Sequence, residues 1–316
     1  MKRKNQLITT CLITTATVSA IGLINKWIFA SAEKEAPSDK EHLFYKWRFG
    51  SVAYTKKGNG KPLLLLHDLI SGNSDTEWKN ISRKLARTHT VYTIDLPGFG
   101  LSDKPAMTYT NYLYVQLITD FVKSIIGSRT DIIASGSSGS IAVMACCNDS
   151  SILNHIMLVN PDSLQKMMQI PDSKAKKLKL LIECPIIGTF LYNILMSKAF
   201  LKKLSAPEYF VNMDTFNREY LDSFHRFSHR GGYQAKFIFS SIKGNYTNFS
   251  IAHKLASIEN SIYIVGGTRE PGISDIVSEY TKLNPAIESS FIEGCKHFPQ
   301  IEKPEKFLRL CDIFFG

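Results

Sequence analysis

Five short, largely apolar runs constrain this chain more than anything else in it. PLLLLH (62–67), TVYTID (90–95), DIIAS (131–135), HIMLVN (155–160) and SIYIVGG (261–267) each end in residues that turn a chain. Runs of this length with little polar alternation read as strands buried on both faces. Stretches with helical spacing lie between the first four: Glu77 to Arg87, Asn111 to Ile126 and Ile141 to Cys147. That alternation predicts a parallel sheet with right-handed crossovers. Ahead of it, Tyr45 to Arg48 and Ser51 to Lys57 alternate about Phe49-Gly50, which predicts a hairpin. Residues 164–250 break the pattern, being helical, basic and aromatic with no clear strand. Alternation then resumes with a helix from Ser274 to Leu283, the strand ESSFIEG (288–294) and a last helix from Pro304 to Phe315, whose proline suits a first turn. The expected fold is α/β, a doubly wound and mostly parallel sheet formed by 41–163 and 251–316. A helical lid of 164–250 enters between strands 6 and 7, over the strand ends where such sheets bind ligands.

At 316 residues and 44% hydrophobic, the chain has ample core. Its net charge of +10 is uneven: residues 1–40 are net +3, residues 164–250 net +7, and the rest neutral. No nucleic-acid motif accompanies that charge, so the expected partners exclude nucleic acid. The six cysteines (Cys11, Cys146, Cys147, Cys184, Cys295, Cys311) show no CxxC and no paired spacing, which argues against a metal site or a disulfide framework. Lys2, Arg3 and Lys4 precede an uncharged stretch from Leu7 to Ile24, near the length of a membrane helix. Lys26, Trp27 and Phe29 follow like an interfacial belt. Residues 1–40 are therefore expected to be a membrane anchor and polar spacer, with the main domain extracytoplasmic. A secretory signal cut after Ala30-Ser31-Ala32 is the competing reading.

The strand DIIAS runs into SGSSGS (135–140). A core strand gains nothing from six small residues, but a strand-to-helix elbow that lifts a nucleophilic serine above the sheet requires them. Two registers fit. Gly136-Ser137-Ser138-Gly139-Ser140 makes Ser138 the nucleophile, and Ser135-Gly136-Ser137-Ser138-Gly139 makes it Ser137. The first keeps the glycine before the nucleophile and is preferred, and the next amide, Gly139, would then face a developing oxyanion.

IDLPGFGLSDKP (94–105), LLLLHDL (63–69) and GCKHFPQIEKPEKF (294–307), taken with this elbow, resemble the α/β-hydrolase superfamily. The likeness is to its lidded esterase, epoxide-hydrolase, dehalogenase and carbon–carbon hydrolase members, over about residues 44–163 and 252–316. The resemblance implies Ser138 as nucleophile, His297 as general base and Glu270, in Gly267-Thr268-Arg269-Glu270-Pro271, as the acid. Asp162 is the fallback acid and Asp275 a weaker one. The order Ser…Glu…His is that of the fold. The amides of Leu69 and Gly139 would form the oxyanion hole. One departure stands out: the family's His-Gly is here His67-Asp68. It puts a carboxylate beside a developing negative charge, and His67 reads as a structural residue of that loop.

The expectation is a membrane-anchored, carboxylesterase- or lipase-like serine hydrolase that forms an acyl-enzyme with a small apolar ester. No cofactor or metal is implied, and membrane lipid is a partner through the N-terminal helix. Lid side chains Phe200, Tyr209, Phe210, Phe224, Phe227 and Tyr233 either line an acyl pocket or pack the lid. The alternative is a catalytically impaired relative that only binds.

Overall fold

The computed structural model describes residues 2–34, 41–216 and 218–316, with side chains in the first helix from Thr15 to Ala32. The side chains of Lys2 to Lys4 and most of the polar spacer lie outside the described residues. The strands are β1 (Leu43–Trp47), β2 (Gly50–Lys57), β3 (Lys61–Leu66), β4 (His89–Ile94), β5 (Thr130–Ser135), β6 (Leu153–Val159), β7 (Ile262–Gly267) and β8 (Glu288–Ile292). They form one sheet in the order β1-β2-β4-β3-β5-β6-β7-β8. The β1–β2 hairpin is antiparallel and β2 pairs antiparallel with β4, whereas all later pairings are parallel.

The central strands are apolar throughout because successive side chains face opposite layers and both layers are covered. Leu64 and Leu66 of β3 join Ile132 and Ala134 of β5, and Ile156 and Leu158 of β6, in one core. Helices α3 (Asn111–Phe121) and α4 (Ser138–Asn148) cover that face, α1 and α2 being Lys2–Lys34 and Lys79–Leu85. Leu63, Leu65, Ile133, Met157 and Val159 point the other way, onto Ile81 and Leu85 of α2 and Phe307 and Phe315 of the helix Pro304–Phe315. The sheet is thus doubly wound, and its strand ends converge on one rim.

A run of helices from Leu164 to Lys243 enters between β6 and β7. It carries its own core of Ile182, Tyr192, Met196, Phe210, Phe216 and Phe224, closed by Phe298 and Ile301 from the loop after β8. Of the lid aromatics named from sequence, Phe210 and Phe224 belong to this core and also line the cavity beneath it, as do Phe200 and Tyr209, whereas Phe227 packs on Ala53 and Leu101, and Tyr233 is exposed. Helix α1 lies against this lid. Asn25 Nδ2 donates to the carbonyl of Ile186 at 3.0 Å, and Asn193 Nδ2 donates to Asn25 Oδ1 at 2.9 Å.

Among the described residues no single helix is long and apolar enough to cross a membrane. The five threonines between Thr9 and Thr17 dilute the apolar stretch of α1. The five described cysteines are free.

Candidate active site

Four turns meet at the rim of the sheet: the loop after β3, the corner between β5 and α4, and the loops after β7 and β8. The corner fixes the register of the SGSSGS segment. Gly136 sits at φ +53°, in the left-handed region, whereas Ser137 is ordinary right-handed backbone at φ −61°, ψ −24°, and Ser138 already begins α4. The conformationally special position of the elbow is therefore occupied by glycine.

The two serines expected there point elsewhere. Ser138 is fully buried, and its Oγ donates to the carbonyl of His67 at 2.6 Å. Ser137 Oγ donates to Asp162 Oδ2 at 2.6 Å, and Asp162 Oδ1 accepts from Lys166 Nζ at 2.7 Å. The expected placement of Ser138 against His297 is thus corrected by the first turn of the helix, which aims its hydroxyl under the loop after β3. Asp162 is held by a serine and a lysine, not by His297, and Asp275 is exposed on its helix.

The side chain that does reach the histidine is Asp68. A Cβ built on Gly136 would lie 2.2 Å from Asp68 Cγ and 2.4 Å from each of its carboxylate oxygens. Asp68 thus fills the space that a side chain on the elbow would occupy. Its Oδ1 accepts from the amides of Leu69 and Ser137, both at 2.7 Å. Its Oδ2 accepts from His297 Nε2 at 2.8 Å, and on the other side of the ring His297 Nδ1 donates to Glu270 Oε1 at 3.0 Å. Leu69 supplies one amide of the expected oxyanion pair. The Gly139 amide does not supply the other, because it closes the turn onto the carbonyl of Gly136 at 3.1 Å. Ser137 takes its place.

Each loop is braced from below. The Asp68 amide donates to Glu77 Oε2 at 2.9 Å, and Gln300 Nε2 donates to Glu77 Oε1 at 2.7 Å. Burial pushes the Glu77 carboxyl up to about 7. His67 Nδ1 donates to the carbonyl of Asp68 and its Nε2 accepts from the amide of Leu96. Burial lowers the His67 ring to about 4, so it stays neutral. Asn160, at the end of β6, donates to the carbonyls of Lys296 and His297 at 2.8 and 2.9 Å and holds the histidine loop.

Burial opposes charge on His297, yet hydrogen bonds and charge from Asp68 and Glu270 outweigh it and raise the ring to about 10. Burial likewise pushes the Asp68 carboxyl up, but the bond and charge of His297 prevail and leave it below its ordinary value. Asp68, His297 and Glu270 thus stand in a hydrogen-bonded row, with Asp68 and His297 buried and Glu270 half-buried, and the first two favour each other's charged forms. Asp68 and His297 line a cavity of about 780 Å³, whose other walls include Leu191, Met196, Phe200, Leu204, Tyr209 and Phe239. The lid is tied to the site directly, since the His297 amide donates to the carbonyl of Tyr209 at 3.1 Å.

Among the described residues one group brings metal-ligating atoms together, His42, Asp75 and Asp95. It lies outside this cavity. Asp95 is already occupied by the amides of Asp75 and Leu101.

A profile of the alpha/beta hydrolase family matches residues 63–310. The chain belongs to the alpha/beta hydrolase family. Among curated relatives, 2-hydroxy-6-oxo-6-(2'-aminophenyl)hexa-2,4-dienoic acid hydrolase of Metapseudomonas resinovorans is 28% identical over 137 residues, 41% of this chain and 47% of that protein. The match thus spans about half of that relative's length. The soluble epoxide hydrolase of Corynebacterium sp. (strain C12) is 23% identical over 275 residues, covering 83% of this chain and 93% of that one. Among solved structures, a membrane phospholipase A superposes with a TM-score of 0.68 at 19% identity, over all of this chain and 98% of the other. Homologues and fold neighbours of this family member are hydrolases.

Asp68 meets His297, and Gly136 stands at the elbow itself. The sequence pattern marks the first as a departure from His-Gly and the second as a motif glycine ahead of the nucleophile. The observed register, Ala134-Ser135-Gly136-Ser137-Ser138, puts no nucleophile at the elbow.

Proposed function

We propose that the chain is a hydrolase of a small, largely apolar substrate bound under the lid, with His297 moving the protons and Glu270 orienting its ring. One observation carries this reading: His297 bridges two carboxylates at the wall of an apolar cavity large enough for a small molecule. A panel of apolar esters, lactones, vinylogous diketones, epoxides and alkyl halides tests it. Turnover of at least one class is expected, and His297→Ala should reduce it by ~10²-fold or more with the fold intact by circular dichroism. Turnover unchanged in His297→Ala would sink the proposal.

The serine route, with an acyl-enzyme on Ser138 and a Ser-Glu-His triad, has weaker support, because that hydroxyl is committed to the His67 carbonyl. A second reading, a relative that binds without turnover, is favoured by the Asp68 carboxylate that occupies both loop amides. Its signature is thermal stabilisation by apolar ligands with no product from any class in the panel.

The location proposed with the hydrolase is a membrane face, the main domain extracytoplasmic. Its supports are the basic start of α1, the exposed Leu23 and Trp27 on that helix, and the exposed Ile187 and Ile194 on the lid helix it packs against. Fractionation of the full chain, with and without residues 1–34, tests it.

A further inference from the structure

We infer that Asp68 is the nucleophile, relocated from the elbow to the loop after β3, and that the substrate is an electrophile at saturated carbon, an epoxide or an alkyl halide. This rests on the hydrolase reading and narrows it. The decisive feature is which atom fills the oxyanion hole. Two backbone amides, of Leu69 and Ser137, converge on Asp68 Oδ1. A substrate carbonyl cannot enter that hole while the enzyme's own carboxylate oxygen holds it. The hole is therefore aimed at a tetrahedral centre formed on Asp68 Cγ, which exists only after Asp68 has itself become an ester. The substrate then contributes the alkyl half of that ester, not the acyl half.

The remaining geometry fits each step. Asp68 Oδ2 points at His297 from the wall of the cavity and attacks the carbon. A C–O bond forms, and the bond to the leaving group breaks with its electron pair. A halide departs as the anion. An epoxide oxygen takes the Nε2 proton of His297. Esterification removes the negative charge of Asp68 that held that proton, so the ring, still oriented by Glu270, is left neutral or readily deprotonated. His297 then takes a proton from water, whose oxygen attacks Cγ. The developing oxyanion on Oδ1 is received by the two amides. Collapse breaks the Cγ–Oδ2 bond, the alcohol oxygen takes the proton back from His297, and the proton left on the water-derived oxygen passes to His297, which restores the carboxylate with one oxygen from water. The net reaction is epoxide plus water to diol, or alkyl halide plus water to alcohol and acid.

Gly136 completes the case independently. A side chain there would overlap the Asp68 carboxylate, so one position is empty because the other is filled. Among the described residues, the group that His297 Nε2 meets is the Asp68 carboxylate.

The experiment uses the full chain with His297→Gln, which removes the base for hydrolysis and leaves alkylation by a halide, whose departure needs no proton, intact. Incubation with an apolar alkyl bromide and with an aryl glycidyl ether is followed by intact mass and peptide mapping. The expected result is one adduct per chain on Asp68, absent from the Asp68→Asn/His297→Gln double variant. Wild type in a single turnover in ¹⁸O-water should place ¹⁸O in the Asp68 peptide and none in the product. An adduct on Ser137 or Ser138, ¹⁸O in the first-turnover product, or no adduct with either probe overturns the inference. If ester or diketone turnover persists and depends on His297, the hydrolase reading stands while this inference falls. If no class turns over at all, both fall. Melting temperatures of each variant separate loss of chemistry from loss of fold.

Discussion

The loop after β3 and the corner after β5 face each other across the rim of the sheet, and each carries what the other would be expected to carry. The corner, which lifts a nucleophile in an elbow of this kind, ends in a glycine at φ +53°. The loop, where a small residue would let the backbone bend toward an oxyanion, carries a carboxylate that bonds both amides and the histidine. The lesson is that the reaction needs an anionic oxygen at one point in space, between two amides and an imidazole. Either strand end can deliver it, provided the other keeps clear.

The sharpest way to break that comparison is Asp68→Asn. Turnover is expected to fall below detection, and the His297 ring to lose its elevation to about 10, read by NMR titration. The sign in stability follows from linkage. A histidine raised in the folded state stabilises fully below its ordinary value of 6.5, and that contribution is lost as pH climbs through about 10. Wild type should therefore lose melting temperature between about pH 6.5 and 10, and Asp68→Asn should lose less across the same window. A wild-type melting temperature flat across that range would remove the charge pair from the account.

Glu270→Gln comes next. It keeps a partner for Nδ1 but removes the charge, so turnover should drop by roughly 10²–10⁴-fold, as expected when a buried group that orients an imidazole loses its charge. An unchanged rate would leave Asp68 as the only partner that matters.

Gly136→Ser tests the other half of the comparison. The new Cβ meets Asp68 at 2.2 Å in a left-handed backbone, which should cost ~2–5 kcal/mol, read in denaturant unfolding. Adding Asp68→Gly should recover a large part of that loss, a strongly non-additive pair. The double variant should also gain labelling by a fluorophosphonate, with the serine restored to the corner. Additive losses and no labelling would mean that the two positions do not share one space.

The smallest effect is expected at Ser138→Ala. It removes one buried hydrogen bond to the His67 carbonyl, worth ~1 kcal/mol of stability, and should leave turnover within about twofold. Abolished turnover would return the nucleophile to α4.

Most of the fold was legible from periodicity. Leu63 to Leu66 can only be a strand covered on both sides, and each of these residues is found in one of the two layers. His297 and Glu270 were named through the resemblance, and the parallel order of β7 and β8 brings the loops that carry them within hydrogen-bond reach. Ser138 was misplaced for a physical reason. Six small residues carry no mark of where the strand stops and the helix starts, and a slip of one residue turns a helical side chain by ~100°.

By itself the sequence determined the doubly wound sheet, the inserted lid and the histidine–glutamate pair, since these depend on local pattern and on strand ends that adjacency in the sheet must align. Only the tertiary structure decided which oxygen meets His297. Asp68 and Gly136 are 68 residues apart in the chain, and their exchange of roles shows only where β3 and β5 lie side by side and one carboxylate occupies the volume that the facing glycine leaves open.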